Sequence, residues 1–272
     1  MPLSQYFIST LGWRGAYSAL AVIYLVLLLP PILFLIRESP EEKGLGPDGQ
    51  RPRRAPSEEA LQAPPKESRA SEGWTMREVL ATREFWGIFL SRVFTPMGVF
   101  ILLTHHVAYV VEVGFSPAYV TFLLGLSGLL AAPSMIGFGY LSDRIGRVLA
   151  VTITFLLFIA AAAVLLLIKD PSQGWLLYLY VIFFGLGFGG RGVIVSAMTA
   201  DIFGGRRFPM IYGAMNLAFG IGSPLGPWLG GYIYDRAGSY QLAFMLSIVF
   251  MILAALFIFV AASGRGAVRR RT

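Results

Sequence analysis

The chain has 272 residues, 56% of them hydrophobic, and no cysteine. Its charged fraction is 14%, against about 25% in soluble globular domains, which excludes an ordinary soluble fold, while the lack of cysteine excludes disulfides and thiolate metal sites. The net charge of +7 is not a nucleic-acid signal, because 17 of the 22 Lys and Arg fall on one side of the helix layout derived below.

Residues 1–14 are expected to form a short external segment ending at Gly12-Trp13-Arg14. The start lacks a basic region and does not read as a cleaved signal. The uncharged run Gly15–Ile36 is long enough to cross about 30 Å of hydrocarbon, which takes about 20 residues as a helix. Its Pro30-Pro31 pair predicts a kink near the cytoplasmic end. Residues 38–73 hold six prolines and nearly balanced charges, which predicts a flexible cytoplasmic tether. Trp74–Thr82 then reads as a short interfacial helix, with Thr75 and Glu78 spaced as a capping box.

Six more apolar runs predict spans at about 85–111, 117–141, 148–168, 174–202, 208–233 and 240–262. No run shows the polar alternation of a membrane β-barrel. The fold class is therefore an all-α polytopic membrane protein with seven transmembrane helices. It divides into an external segment and first span (1–37), a linker with an interfacial helix (38–83), a six-helix domain (84–263) and a basic tail (264–272). The distribution of Lys and Arg places the N-terminus outside and the C-terminus in the cytoplasm.

Gly139-Tyr-Leu-Ser-Asp-Arg-Ile-Gly146 is similar to Gly231-Tyr-Ile-Tyr-Asp-Arg-Ala-Gly238, at an offset of 92 residues. Each copy ends a span, and the two lie three spans apart. An odd number of crossings puts them on opposite faces, as an inverted three-plus-three repeat requires.

Gly185-x-Gly187-x-x-Gly190 matches a dinucleotide fingerprint in form, but the strand and soluble βαβ unit that motif needs are absent. Gly185 and Gly189, and Gly222, Gly226 and Gly230, are small-residue stripes that let helices approach closely. Pro96, Pro224 and Pro227 add breaks, so these positions read as packing sites or as hinges.

Arg191 lies midway along an apolar span, where an arginine costs about 2.5–3.5 kcal/mol on insertion scales. The acids outside 38–84 are Glu112, Asp143, Asp170, Asp201 and Asp235, all at span ends, so no carboxylate matches its depth. A cavity and an anion are expected around it. Arg92 and His106 are 14 residues apart and return to within about 40° of one helix face, with Thr95 beside Arg92. Two readings stand for each end of that wall: Arg92 lines a cavity or snorkels to the surface, and His106 lines the cavity or makes an interhelical hydrogen bond. His105 points elsewhere, and no third metal ligand accompanies the histidine pair. Fixed cations without a midplane carboxylate suit an anionic solute, and a titratable His106 suits a coupled proton. No nucleophile–base or carboxylate pair supports an enzyme, and no cofactor or metal is implied.

At Gly139-Tyr-Leu-Ser-Asp-Arg-Ile-Gly-Arg147 the sequence resembles the cytoplasmic G-x-L-x-D-R-x-G-R signature of the major facilitator superfamily. Gly12-Trp-Arg-Gly-Ala-Tyr17, Arg37-Glu-Ser-Pro-Glu41, Phe85-Trp86, His106-Val-Ala-Tyr109, Ala200-Asp-Ile-Phe203 and Gly220–Tyr232 resemble its monocarboxylate and oxalate/formate-type branch. The resemblance implies twelve spans in two halves, of which this chain matches spans six to twelve. It implies a partial chain, to be completed by a separately encoded N-terminal half or a second copy. It also implies that Arg92, Thr95, His106 and Arg191 line the central cavity, and that Asp143, Arg144 and Arg147 form a gating latch. One departure is that Met135 stands where monocarboxylate transporters usually carry an arginine. The expected function is alternating-access transport of a small mono- or dicarboxylate across the cell (inner) membrane, with a proton or counter-anion. A non-transporting remnant or assembly subunit is the other reading.

Overall fold

The computed structural model describes residues 2–34, 74–205 and 207–263. The tether expected over 38–73, Arg206 and the basic tail 264–272 lie outside the described residues. The chain divides into two units, Met1–Ser68 and Arg69–Thr272.

The first unit carries helix α1 (Pro2–Phe34). Its backbone leaves helical geometry at Gly12 (φ 69°, ψ 171°), a conformation that a residue without Cβ adopts freely. The break falls at Gly12, where the external segment is expected to end at Gly12-Trp13-Arg14, and the helix carries Pro30 and Pro31 in its last turns.

The second unit is built from α2 (Met76–Leu80), α3 (Arg83–Glu112), α4 (Pro117–Ile145), α5 (Arg147–Leu167), α6 (Gly174–Phe203), α7 (Phe208–Ala237) and α8 (Gln241–Ser263). A 3-10 turn at Pro171–Gln173 leads into α6. The capping box at the start of α2 is formed. The Thr75 N–H donates to Glu78 Oε2 at 2.9 Å and the Glu78 N–H donates to Thr75 Oγ1 at 3.4 Å. Thr82 Oγ1 accepts from the Phe85 N–H to cap α3, and Ser116 Oγ accepts from the Tyr119 N–H to cap α4 just ahead of Pro117.

Six helices, α1 with α3–α6 and α8, are long and apolar enough to cross a membrane. α7 is as long as α3 and uncharged from Phe208 to Tyr234, but its glycines, prolines and Asn216 dilute its hydropathy. Among the described residues there is no strand. The protein is an all-α, multi-pass membrane protein.

Packing follows the repeat. α3 packs on α7 and α8, α6 packs on α4 and α5, and α5 meets α8. Exchanging α3, α4, α5 with α6, α7, α8 returns the same set of neighbours. At the 92-residue offset the starts of the two triplets coincide to within two residues. The core is rich in aromatic side chains, with Tyr180, Phe155, Phe158, Phe203 and Phe244 fully buried.

Glycines close the two equivalent interfaces. A Cβ on Gly189 of α6 would strike the Ala131 carbonyl oxygen of α4 and come within 3.0 Å of the Met135 nitrogen. A Cβ on Gly222 of α7 would strike the Val93 carbonyl oxygen of α3 and lie 2.7 Å from Pro96 Cγ. Gly226, one turn on, abuts the Met97 carbonyl. Backbones approach this closely only where no side chain stands between them. α3 runs on through Pro96, and α7 through Pro224 and Pro227.

Candidate functional site

A cavity of about 250 Å³ opens where α3 and α6 face each other. From α3 it takes Ser91, Arg92, Thr95, Pro96, Val99 and Phe100, and from α6 Phe188, Gly189, Arg191, Gly192 and Val195. Phe155 of α5 and Phe219 of α7 complete the lining. At the repeat offset Pro96, Val99 and Phe100 correspond to Phe188, Arg191 and Gly192, so the cavity sits between equivalent stretches of equivalent helices. Their chemistry is unequal, since arginine in one copy answers to valine in the other.

Arg191 is buried at 8% relative exposure. Its Nε and Nη1 are enclosed without a hydrogen-bond partner. Its guanidinium carbon lies 5.1 Å from the Phe158 ring centre and 5.7 Å from that of Phe188. Cation–π contacts of this kind contribute roughly 0.5–2 kcal/mol each and hold the group in place, but they satisfy none of its N–H donors. Among the described residues no carboxylate lines the cavity. The site therefore holds a desolvated, oriented cation without a counter-charge among the described residues, an arrangement chemically suited to an anion.

Arg92 is held from α7. Its Nη2 donates to Asn216 Oδ1 at 2.5 Å, and its guanidinium lies 5.3 Å from the Tyr212 ring centre. Its Nε is buried without a partner. Ser196 spends its hydrogen on the Gly192 carbonyl at 2.7 Å, so Tyr212 donates to Ser196 Oγ at 2.7 Å. Asn216, Tyr212 and Ser196 thus tie α3, α7 and α6 together beside the cavity.

His106 does not line the cavity. Its Nδ1 lies 2.6 Å from the Tyr180 hydroxyl, and its ring meets Phe184 edge-on. A 14-residue separation restores the helix face but moves about 21 Å along the axis, so Arg92 and His106 share a face at different depths. Of the four residues expected in the cavity from sequence, Arg92, Thr95 and Arg191 come together and His106 serves the α3–α6 contact. Replacing His106 with phenylalanine removes that hydrogen bond from an otherwise apolar contact. The variant is expected to melt earlier in detergent, by about 1–3 kcal/mol for the stranded Tyr180 hydroxyl, with its anion affinity unchanged. Isothermal titration alongside a thermal melt checks both halves. His105 bonds to the Pro227 carbonyl at 3.1 Å and stacks on Tyr240.

At the α4–α5 turn, where Gly146 takes φ 91°, Arg147 bonds Asp143 at 2.5 Å, Asp201 at 3.1 Å and Ser142 Oγ at 2.6 Å. Arg144 instead lies over the Tyr140 ring, 4.6 Å from its centre. The cluster joins the α4–α5 turn to the end of α6 through Asp201. Spacing alone did not single out Asp201, although the Ala200–Phe203 stretch contains it. Met135 is 51% exposed and lies outside the cavity lining. No metal-ligand cluster of three or more His, Cys, Asp or Glu occurs among the described residues.

The family profile described as Major Facilitator Superfamily matches residues 1–194 and 175–271. Monocarboxylate transporter 12 of Rattus norvegicus is 26% identical over 260 residues, covering 90% of this chain and 52% of its own length. Inner membrane transport protein YajR of Escherichia coli is 28% identical over 171 residues, covering 61% of this chain and 36% of its own. Among solved structures, an auto-inhibited POT family peptide transporter superposes with a TM-score of 0.55 at 17% identity, covering 67% of this chain and 37% of that one, a likeness of fold. The chain spans about half the length of the curated relatives it matches.

Proposed function

The chain belongs to the Major Facilitator Superfamily, and on that premise we propose that it carries one wall of a path that moves a small organic anion across a membrane by alternating access. The observation that carries this reading is Arg191, buried in the cavity with two nitrogens unpartnered and, among the described residues, no carboxylate in the lining. A mono- or dicarboxylate supplies the missing acceptors, and a proton or a counter-anion completes the cycle. The uneven distribution of Lys and Arg among the loops supports an N-terminus outside and a C-terminus in the cytoplasm of the cell (inner) membrane. The facing wall lies outside these 272 residues. The Asp143, Arg144 and Arg147 cluster closes the cytoplasmic end, with Asp201 as its partner on α6.

Proteoliposomes holding the full chain are expected to take up labelled short-chain carboxylates saturably. Arg191→Ala is expected to reduce uptake per unit anion at least about tenfold, or roughly 1.4 kcal/mol of lost binding. Equal uptake by parent and variant sinks the role of Arg191, and uptake that does not saturate sinks the transport reading.

A further inference from the structure

The two arginines of the cavity differ in what holds them, and the difference comes down to Asn216. It is the single asparagine of the chain, set in an uncharged run of α7, and it accepts the Arg92 Nη2 hydrogen bond from 124 residues away. A hydrogen bond to an amide orients a guanidinium without cancelling its charge, whereas a carboxylate in the same place would do both. Tyr212 offers Arg92 a ring face and likewise no charge.

The carboxylates of the described segments are committed or distant. Asp143 and Asp201 hold Arg147, Glu112 accepts from the Tyr234 hydroxyl at 2.6 Å, and Asp170 caps the turn before α6. Glu84 lies in the first turn of α3, about 12 Å along the axis from Arg92, and Asp235 is at the far end of α7. None lines the cavity. The site therefore keeps two uncompensated guanidinium charges, each with a buried unpartnered N–H.

We propose that Asn216 is the specificity-determining residue of this cavity: by positioning Arg92 with a neutral amide it leaves both arginine charges available, and so selects a small dicarboxylate over a monocarboxylate of the same size. The inference rests on the reading of the cavity as an anion site and adds the charge of the anion to it. Asn216 acts through Arg92, as a positioning residue. One carboxylate of the solute meets Arg191 and the other meets Arg92. A single carboxylate leaves one of the two cations without a counter-charge.

The test is isothermal titration of the detergent-solubilised full chain with malonate and with propionate, which share a carbon skeleton and differ by one carboxylate, at fixed ionic strength. The parent is expected to bind malonate at least about tenfold more tightly than propionate, with tenfold corresponding to 1.4 kcal/mol. Asn216→Asp, which keeps an acceptor for Arg92 but cancels its charge, is expected to erase that preference. Asn216→Ala, which removes the acceptor and leaves the charge, is expected to keep it. A purely structural role predicts the opposite order, with alanine worse than aspartate. Equal affinities in the parent, or an undiminished preference in Asn216→Asp, overturn the proposal while leaving the anion site standing. If Asn216→Asp does not fold, Arg92→Gln removes the same charge, and retention of the malonate preference there overturns it equally. Loss of neither ligand in Arg191→Ala overturns the anion site itself and the proposal with it.

Discussion

Gly189→Ala is expected to destabilise the bundle severely, although it adds one methyl group and raises intrinsic helix propensity. The added carbon would collide with the Ala131 carbonyl oxygen and crowd the Ala131 carbonyl carbon at 2.9 Å and the Met135 nitrogen at 3.0 Å. All three are backbone atoms of α4, so no rotamer change relieves the clash, and the helices must separate. Overpacking of this kind costs about 1–3 kcal/mol or more, against a propensity gain of about 1 kcal/mol. The net loss should lower the melting temperature by several degrees, at about 2–4 °C per kcal/mol for a domain of this size. Gly220→Ala on α7 is the control, since a Cβ there meets nothing within 4 Å. The two variants should move in opposite directions in a detergent thermal melt. If they melt alike, close approach of α4 and α6 is not what Gly189 provides.

The helices and their number are legible from uncharged runs because a bilayer demands them: every span must be long, apolar and internally hydrogen-bonded. The repeat is legible because Gly139–Gly146 and Gly231–Gly238 keep their spacing, and the helix starts follow it. Arg191 stands out for a similar reason, since a charge at mid-span is conspicuous against its background. Depth is less legible than face. Angular periodicity groups His106 with Arg92, but the axial rise separates them and leaves His106 against Tyr180. Partner choice is not legible at all for Asn216, Tyr212 or Ser196. A neutral polar group in an apolar run carries no charge signal, and its partner lies on another helix, 124 residues away for Asn216 and 16 residues apart for the Ser196–Tyr212 pair. The break at Gly12 falls at the end expected for the external segment, Gly12-Trp13-Arg14, where a glycine accepts the positive φ.

Arg191→Leu is expected to make the protein more stable and less functional at once. In the absence of anion the arginine is a buried cation whose Nε and Nη1 have no partner, offset in part by the Phe158 and Phe188 rings. Leucine, although shorter, removes that desolvation cost and leaves an apolar side chain in a site already walled by Val195 and Phe155. Insertion scales put the difference between the two residues at about 3 kcal/mol at mid-span, which the cation–π contacts reduce to roughly 1–2 kcal/mol. The melting temperature without ligand should therefore rise by a few degrees. The parent, by contrast, should gain stability when malonate is added, because a ligand that binds the folded state stabilises it by mass action, about 2.7 kcal/mol at a hundredfold excess over Kd. The variant should show no such response, so the two melting curves should converge or cross as malonate is raised. A lower melting temperature for Arg191→Leu in ligand-free detergent would mean that the arginine holds the bundle together, and the cavity would lose its anion contact. A malonate-dependent rise in the variant equal to that of the parent would place the anion elsewhere. The sign of the ligand-free shift is the decisive observation, because a structural ion pair and a waiting binding group predict opposite signs for the same substitution.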